Sequence, residues 1–193
     1  MPTIIQLLRH GTPEGGNKFR GHSIDDPLSE KGWQQMNNAI GEHNQWDMVI
    51  SSPLQRCYAF AQSFADKHNI PLTIDDRLKE VGFGIWEGKS SQQILVQDPA
   101  AIKNFYHDPI KYRPKNAEEL PLFQKRVSAA LQDILTIHNN KRILVVAHAG
   151  VIRAAITSVT GSPESAMYRI SIGNAALITI QDDGIRPATL ILN

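Results

Sequence analysis

A three-layer α/β/α sandwich with a mainly parallel sheet is the fold class predicted by this sequence, and three observations predict it. Short apolar runs at residues 4–8 (broken only by Gln6), 48–50 and 143–147 read as strands covered on both faces, as parallel strands between helical layers are. Each run gives way to turn residues and then to a stretch of helical period, the alternation expected of an α/β domain. A length of 193 residues suits one domain, here 1–193, with room for a substantial core and a helical insertion at about 90–120.

Composition excludes several classes of function. Twenty basic residues against 19 acidic ones give a net charge of +1, too balanced for the footprint of a nucleic-acid binder or of a protein held on an anionic membrane surface. The single cysteine, Cys57, rules out an intrachain disulfide framework and a thiolate zinc cluster, and it fits a reducing compartment. The opening Met1-Pro2-Thr3-Ile4-Ile5 is strand-like and lacks a basic region followed by a long apolar core. No apolar run reaches membrane-spanning length. A cytoplasmic location is therefore expected.

The first strand stops at Arg9-His10-Gly11, which places two cationic or titratable side chains at its carboxyl end, where open α/β sheets bind ligands. Gly11 is expected to let the backbone approach a ligand closely. The Gly- and Pro-containing loop Thr12 to Arg20 either wraps an anion and presents Arg20 to it or is an ordinary surface connection. A helix is predicted from Leu28 to about His43, capped by Ser29, with Trp33, Met36 and Ile40 on one face. After the second strand, Ser51 or Ser52 is the expected cap of a helix with Pro53 at its first position. Arg56 then falls in the first turn, where a cation opposes the helix dipole unless an anion lies between them; a surface arginine paired with a carboxylate is the alternative. Cys57 precedes the helical stretch 58–65 and reads as a small buried hydrophobe.

Pro71 to Ile74 is a short predicted strand. Beyond it, glycines interleaved with Phe83 and Trp86 suggest an ordered irregular loop. Glu80 beside that loop is a candidate general acid, because apolar surroundings favour a protonated carboxyl; a solvated surface glutamate is the alternative. Between Ser90 and Asp133 helical pieces break at Pro99, Pro109 and Pro114, and the part holding Phe105, Tyr106, His107 and Tyr112 reads as an insertion covering one end of the sheet. Leu122 to Ile137 is an amphipathic helix with Phe123, Val127, Leu131, Ile134 and Leu135 inward. The strand at 143–147 ends at His148, with Gly150 in the turn and a helix behind it, repeating the arrangement at His10. Residues 170–193 read as two strands around Asp182-Asp183-Gly184.

Two histidines, two arginines and a carboxyl group arriving at one end of a sheet describe a site for a phosphoryl group, since guanidinium forks match phosphate oxygens. Histidine can act as the nucleophile if its other ring nitrogen is held by a hydrogen bond. No G-x-x-x-x-G-K-[ST] loop and no H-E-x-x-H pattern occurs, so a site without metal or cofactor is expected.

Leu7-Leu-Arg-His-Gly11, Ser51-Ser-Pro-Leu-Gln-Arg56, Leu78-Lys-Glu-Val-Gly-Phe-Gly-Ile-Trp-Glu-Gly88 and Val145-Val-Ala-His-Ala-Gly-Val-Ile-Arg153 together resemble the histidine phosphatase superfamily, also called phosphoglycerate mutase-like. Within it the chain most resembles the alpha-ribazole phosphatases of cobalamin biosynthesis, through Glu14-Gly-Gly-Asn-Lys-Phe-Arg-Gly21 and Pro27-Leu-Ser-Glu-Lys-Gly-Trp-Gln-Gln35. The resemblance implies that His10 forms a phosphohistidine, that Arg9, Arg56 and His148 hold the phosphoryl oxygens, and that Glu80 protonates the leaving group and then activates water. It adds Asn17, Arg20 and Ala149 as substrate contacts, and the insertion as a cap over the active site. The implied partner is a small phosphomonoester, with a homodimer as one open arrangement of the chain. Alpha-ribazole phosphate is the expected substrate, with phosphoglycerate mutation, sugar-phosphate hydrolysis and a non-catalytic phosphate-binding module as alternatives. Two departures are visible: Thr12-Pro13 follow Gly11 where the family often has Glu-Thr, and Ala117-Glu118-Glu119 replaces a Gly-Glu-Ser-like stretch.

Overall fold

The structure, a computed structural model, describes residues 1–41 and 45–192. Its strands are β1 (Thr3–Arg9), β2 (Met48–Ser51), β3 (Leu72–Ile74), β4 (Arg142–Ala147), β5 (Leu177–Asp182) and β6 (Thr189–Ile191). They form one sheet in the order β3-β2-β4-β1-β5-β6. The first four positions are parallel, whereas β5 runs antiparallel to β1 and β6 antiparallel to β5. The helices are α1 (Glu30–Ile40), α2 (Gln55–His68), α3 (Ser91–Gln97), α4 (Ala101–His107), α5 (Leu120–Ile137) and α6 (Ala149–Thr160).

Central β4 explains the layering. Residues 143–147 are fully buried, and alternate side chains point to opposite faces. Ile143, Val145 and Ala147 join the core packed against α5 and α6, whereas Leu144 and Val146 join the one packed against α1 and α2. The apolar run is continuous because neither face meets water. A smaller cluster of Trp86, Ile94 and Phe105 supports α3 and α4.

Connections from neighbouring β1 and β4 leave in opposite directions. The chain after β1 reaches α1 on one face; the chain after β4 enters α6 on the other. A crevice opens where two parallel strands part company in this way, at their carboxyl ends.

Some element boundaries differ from the expectation. Ser29 caps α1 as predicted, its side chain accepting from Gly32 N–H. That helix ends at Ile40, with Gly41 at φ +66° as its C-cap, while the expected end near His43 lies outside the described residues. Helix α2 begins at Gln55 with Leu54 as N-cap and no side-chain cap, so Pro53 is not its first residue. Helix α5 starts at Leu120 with Pro121 in its first turn. Residues 170–176 are loop rather than strand, because this stretch supplies carbonyls to side chains instead of to a ladder.

Candidate active site

The sheet register sets the site. Arg9 lies opposite Ala147, and Ser51 opposite Val146. The first residues beyond these strands, His10, His148 and Ser52, therefore stand side by side. His10 N–H donates to Ala147 O at 3.0 Å and Ser52 N–H to Val146 O at 3.0 Å. The two imidazoles meet edge to face with centroids 5.2 Å apart. In front of them a cavity of about 470 Å³ is lined by Arg9, His10, Asn17, Arg20, Arg56, Glu80 and Ala149, among others.

His10 Nδ1 lies 2.7 Å from the carbonyl of Gly11. A carbonyl only accepts, so Nδ1 carries the proton and Nε2 keeps its lone pair. Burial, and then the Arg56 charge, lower the His10 pKa to about 3, with the Gly11 hydrogen bond opposing them. At neutral pH His10 is uncharged, with the Nε2 lone pair free of a proton. His148 is completely buried, and burial followed by the Arg56 charge holds its pKa well below the ordinary value. Its Nε2 lies 2.8 Å from Ser52 Oγ. The hydroxyl expected to cap α2 thus orients a histidine. Cys57 is fully buried, and burial pushes its thiol pKa up, which keeps it neutral beside His148 as the sequence suggested.

Arg56 is 1% exposed, and it is held by carbonyls: Nη1 donates to Ile24 O at 2.9 Å and Nη2 to Gly21 O at 2.8 Å. Arg9 Nη1 donates to Ile172 O at 2.7 Å. The Nε of each arginine is buried without a hydrogen-bond partner. Among the described residues no carboxylate forms an ion pair with either guanidinium. Carbonyls fix the direction of such a group but leave its charge whole, and a buried charge without a counter-ion is strongly unfavourable.

Glu80 is held from two sides. Its Oε1 accepts Val81 N–H at 3.0 Å and its Oε2 accepts Gly150 N–H at 3.3 Å. A Cβ on Gly150 would stand 2.2 Å from Glu80 Oε1, so the first turn of α6 admits the carboxyl group only with glycine there. Behind it, Arg126 donates to the carbonyls of Arg77, Lys79 and Glu80 at 2.6, 2.8 and 3.2 Å. Arg126 also grips Glu118, which accepts Gly82 N–H at 3.1 Å.

The remaining predicted residues are placed as follows. Asn17 and Ala149 line the cavity directly. Arg20 lines it too, but its donors go to Asp26 and to the carbonyls of Glu14, Gly16 and Lys18, so it shapes the loop around the cavity. Gly11 approaches α1 rather than a ligand: a Cβ there would lie 2.2 Å from Gly32 O. Three further lining residues, Thr12, Arg153 and Asn174, escaped the sequence reading. Arg153 follows Ala149 by one helical turn, a spacing that could have revealed it. Asn174 was hidden because its loop read as strand.

Fold and site together define a phosphoanion-handling protein in which a neutral histidine faces two guanidiniums that make no ion pair among the described residues. The chain belongs to the histidine phosphatase superfamily (branch 1), whose family model matches residues 5–193. It is 28% identical over 190 residues to "Phosphoserine phosphatase 1" of Hydrogenobacter thermophilus, covering 97% of this chain and 90% of that one. "Adenosylcobalamin/alpha-ribazole phosphatase" of Escherichia coli is 26% identical over 172 residues, 87% of this chain and 84% of that one. Among solved structures, "Bacillus stearothermophilus YhfR" superposes with a TM-score of 0.89 at 26% identity, covering 99% of this chain and 96% of that one.

Proposed function

We propose that this chain hydrolyses a small phosphomonoester in two steps through a phosphohistidine at His10. The Nε2 lone pair attacks phosphorus and the ester P–O bond breaks, with Glu80 giving its proton to the departing alkoxide. The Glu80 carboxylate then takes a proton from water, whose oxygen attacks the phosphohistidine; the N–P bond breaks and orthophosphate leaves. Arg9, Arg56 and His148 surround the phosphoryl oxygens as charge redistributes. Residues 90–120 act as a cap at one end of the site. Phe105 packs on Phe83 and Trp86, which in turn pack on Phe19 of the cavity loop.

The observation carrying this reading is the neutral, tautomer-fixed His10 beside a buried Arg56 and a partly buried Arg9, neither of them ion-paired among the described residues. A module that only binds phosphate has no need of a free imidazole lone pair or of a carboxyl group held next to it. For the organic part, the sequence points to alpha-ribazole phosphate, and the aromatic walls Phe19 and Phe83 give its base a surface to lie on. Phosphoserine is the second reading, favoured by the phosphoserine phosphatase likeness over nearly the full length of both chains.

Phosphate release in the presence of chelator, from a panel holding both compounds with phosphoglycerates, sugar phosphates and mononucleotides, tests the proposal. Turnover is expected for wild type, and none for a folded His10→Ala variant. If that variant keeps most of the activity, the nucleophile is assigned to the wrong residue.

A further inference from the structure

One cation facing the cavity has no part in the two-step reaction. Arg153 follows Ala149 by one turn of α6 and lines the same cavity. Its Nε donates to Ile170 O at 2.8 Å, and its guanidinium carbon sits 5.4 Å from the centre of the Tyr168 ring. Among the described residues its two Nη nitrogens have no hydrogen-bond partner and no ion pair, and they are not sealed from the cavity as Arg9 Nε and Arg56 Nε are.

The anchoring of Arg153 is shared with the phosphate cradle. Ile170, at φ −101° and ψ 119°, is extended, and carbonyls two residues apart on extended backbone point the same way. Ile170 O holds Arg153 and Ile172 O holds Arg9, so one short stretch of chain anchors both guanidiniums. The Arg153 charge is among those that lower the Arg9 pKa, after burial. Packing like charges together is unfavourable unless each meets an anion. In the proposed reaction the phosphoryl group is served by Arg9, Arg56 and His10, which leaves Arg153 for a second anionic group. Asn174, which also lines the cavity, donates its Nδ2 to Thr12 Oγ1 at 2.9 Å.

We infer that Arg153 is a carboxylate subsite, its two Nη groups gripping a carboxylate on the leaving group, so that this enzyme selects small carboxylated phosphomonoesters. The geometry is the fork that suits a planar carboxylate. The inference rests on the phosphohydrolase reading above, and within it favours phosphoserine over alpha-ribazole phosphate, which carries no carboxylate.

Two matched pairs test it on the intact chain: O-phosphoserine with O-phosphoethanolamine, and 3-phosphoglycerate with glycerol 3-phosphate, each differing by a carboxylate. In wild type, kcat/KM is expected to favour the carboxylated member of at least one pair by tenfold or more. In Arg153→Gln that preference is expected to shrink by about 10–100-fold, the loss of one charge-assisted contact. An unchanged ratio in the variant, or a wild-type ratio near unity in both pairs, overturns the inference while leaving the reaction standing. Absence of turnover from every compound overturns the reaction instead. The subsite is then read by calorimetry with the same pairs on His10→Ala and on His10→Ala with Arg153→Gln, where equal affinities within both pairs overturn it.

Discussion

At Gly150 the missing side chain is what leaves room for the Glu80 carboxyl. A Cβ there would stand 2.2 Å from Glu80 Oε1, so Gly150→Ala is expected to push Glu80 away from the leaving-group oxygen. Alkyl phosphates need a proton at that oxygen far more than p-nitrophenyl phosphate does. We expect a loss of kcat of at least about tenfold on an alkyl ester and a smaller one on the nitrophenyl ester, read by steady-state assay. At this scale much was legible. Arg9, His10 and His148 sit next to apolar runs that end abruptly, and Arg56 occupies a position that a helix dipole disfavours. Ser52 was misread because a serine before a proline has the signature of an N-cap; only the third dimension brings its hydroxyl to His148.

Among the elements, the first turns of α5 and the loop before it act on catalysis at a distance. Glu118 and Arg126 together bind the backbone from Arg77 to Gly82. Arg126→Ala is expected to lower kcat by more than it raises KM and to cost about 1–3 kcal/mol of stability through the carbonyls left unpaired, measured by kinetics and denaturant unfolding. The helical period announced α1 and α5, and the apolar runs announced β1, β2 and β4. The loop at 170–176 was not announced, since its task is to hold Arg9 and Arg153 by their side chains and it leaves no periodic trace. The contact of Gly11 with Gly32 was equally invisible: each glycine looked like a local turn residue, and the reason for both is that two backbones touch.

For the whole molecule the buried imidazoles set a pH dependence. His10 has its pKa lowered to about 3 when folded against 6.5 as reference, and His148 is shifted the same way. Between these values the unfolded chain binds protons that the folded chain refuses. Their contribution is therefore complete above pH 6.5 and is lost as pH falls towards 3. The Tm is expected to fall with acidification across this window, and less steeply in His10→Asn. On the proposed reading orthophosphate is expected to bind Arg9 and Arg56 in the folded state and not the unfolded chain. At a hundred times its Kd it is expected to add about 2.7 kcal/mol, seen as a rise in Tm that wild type shows and Arg56→Ala does not. The layered fold could be read from the alternation of apolar runs and amphipathic stretches. The strand order could not, because it depends on which edges meet.

The carbonyl that holds Arg9 belongs to Ile172, 163 positions further along the chain. β1 itself is flanked by β4 and β5, both drawn from the last third of the sequence. Loops of such length close slowly. Until β4 and β5 pair with β1, His10 therefore lacks the Ala147 carbonyl that fixes its backbone, and Arg9 lacks the Ile172 carbonyl that orients its guanidinium.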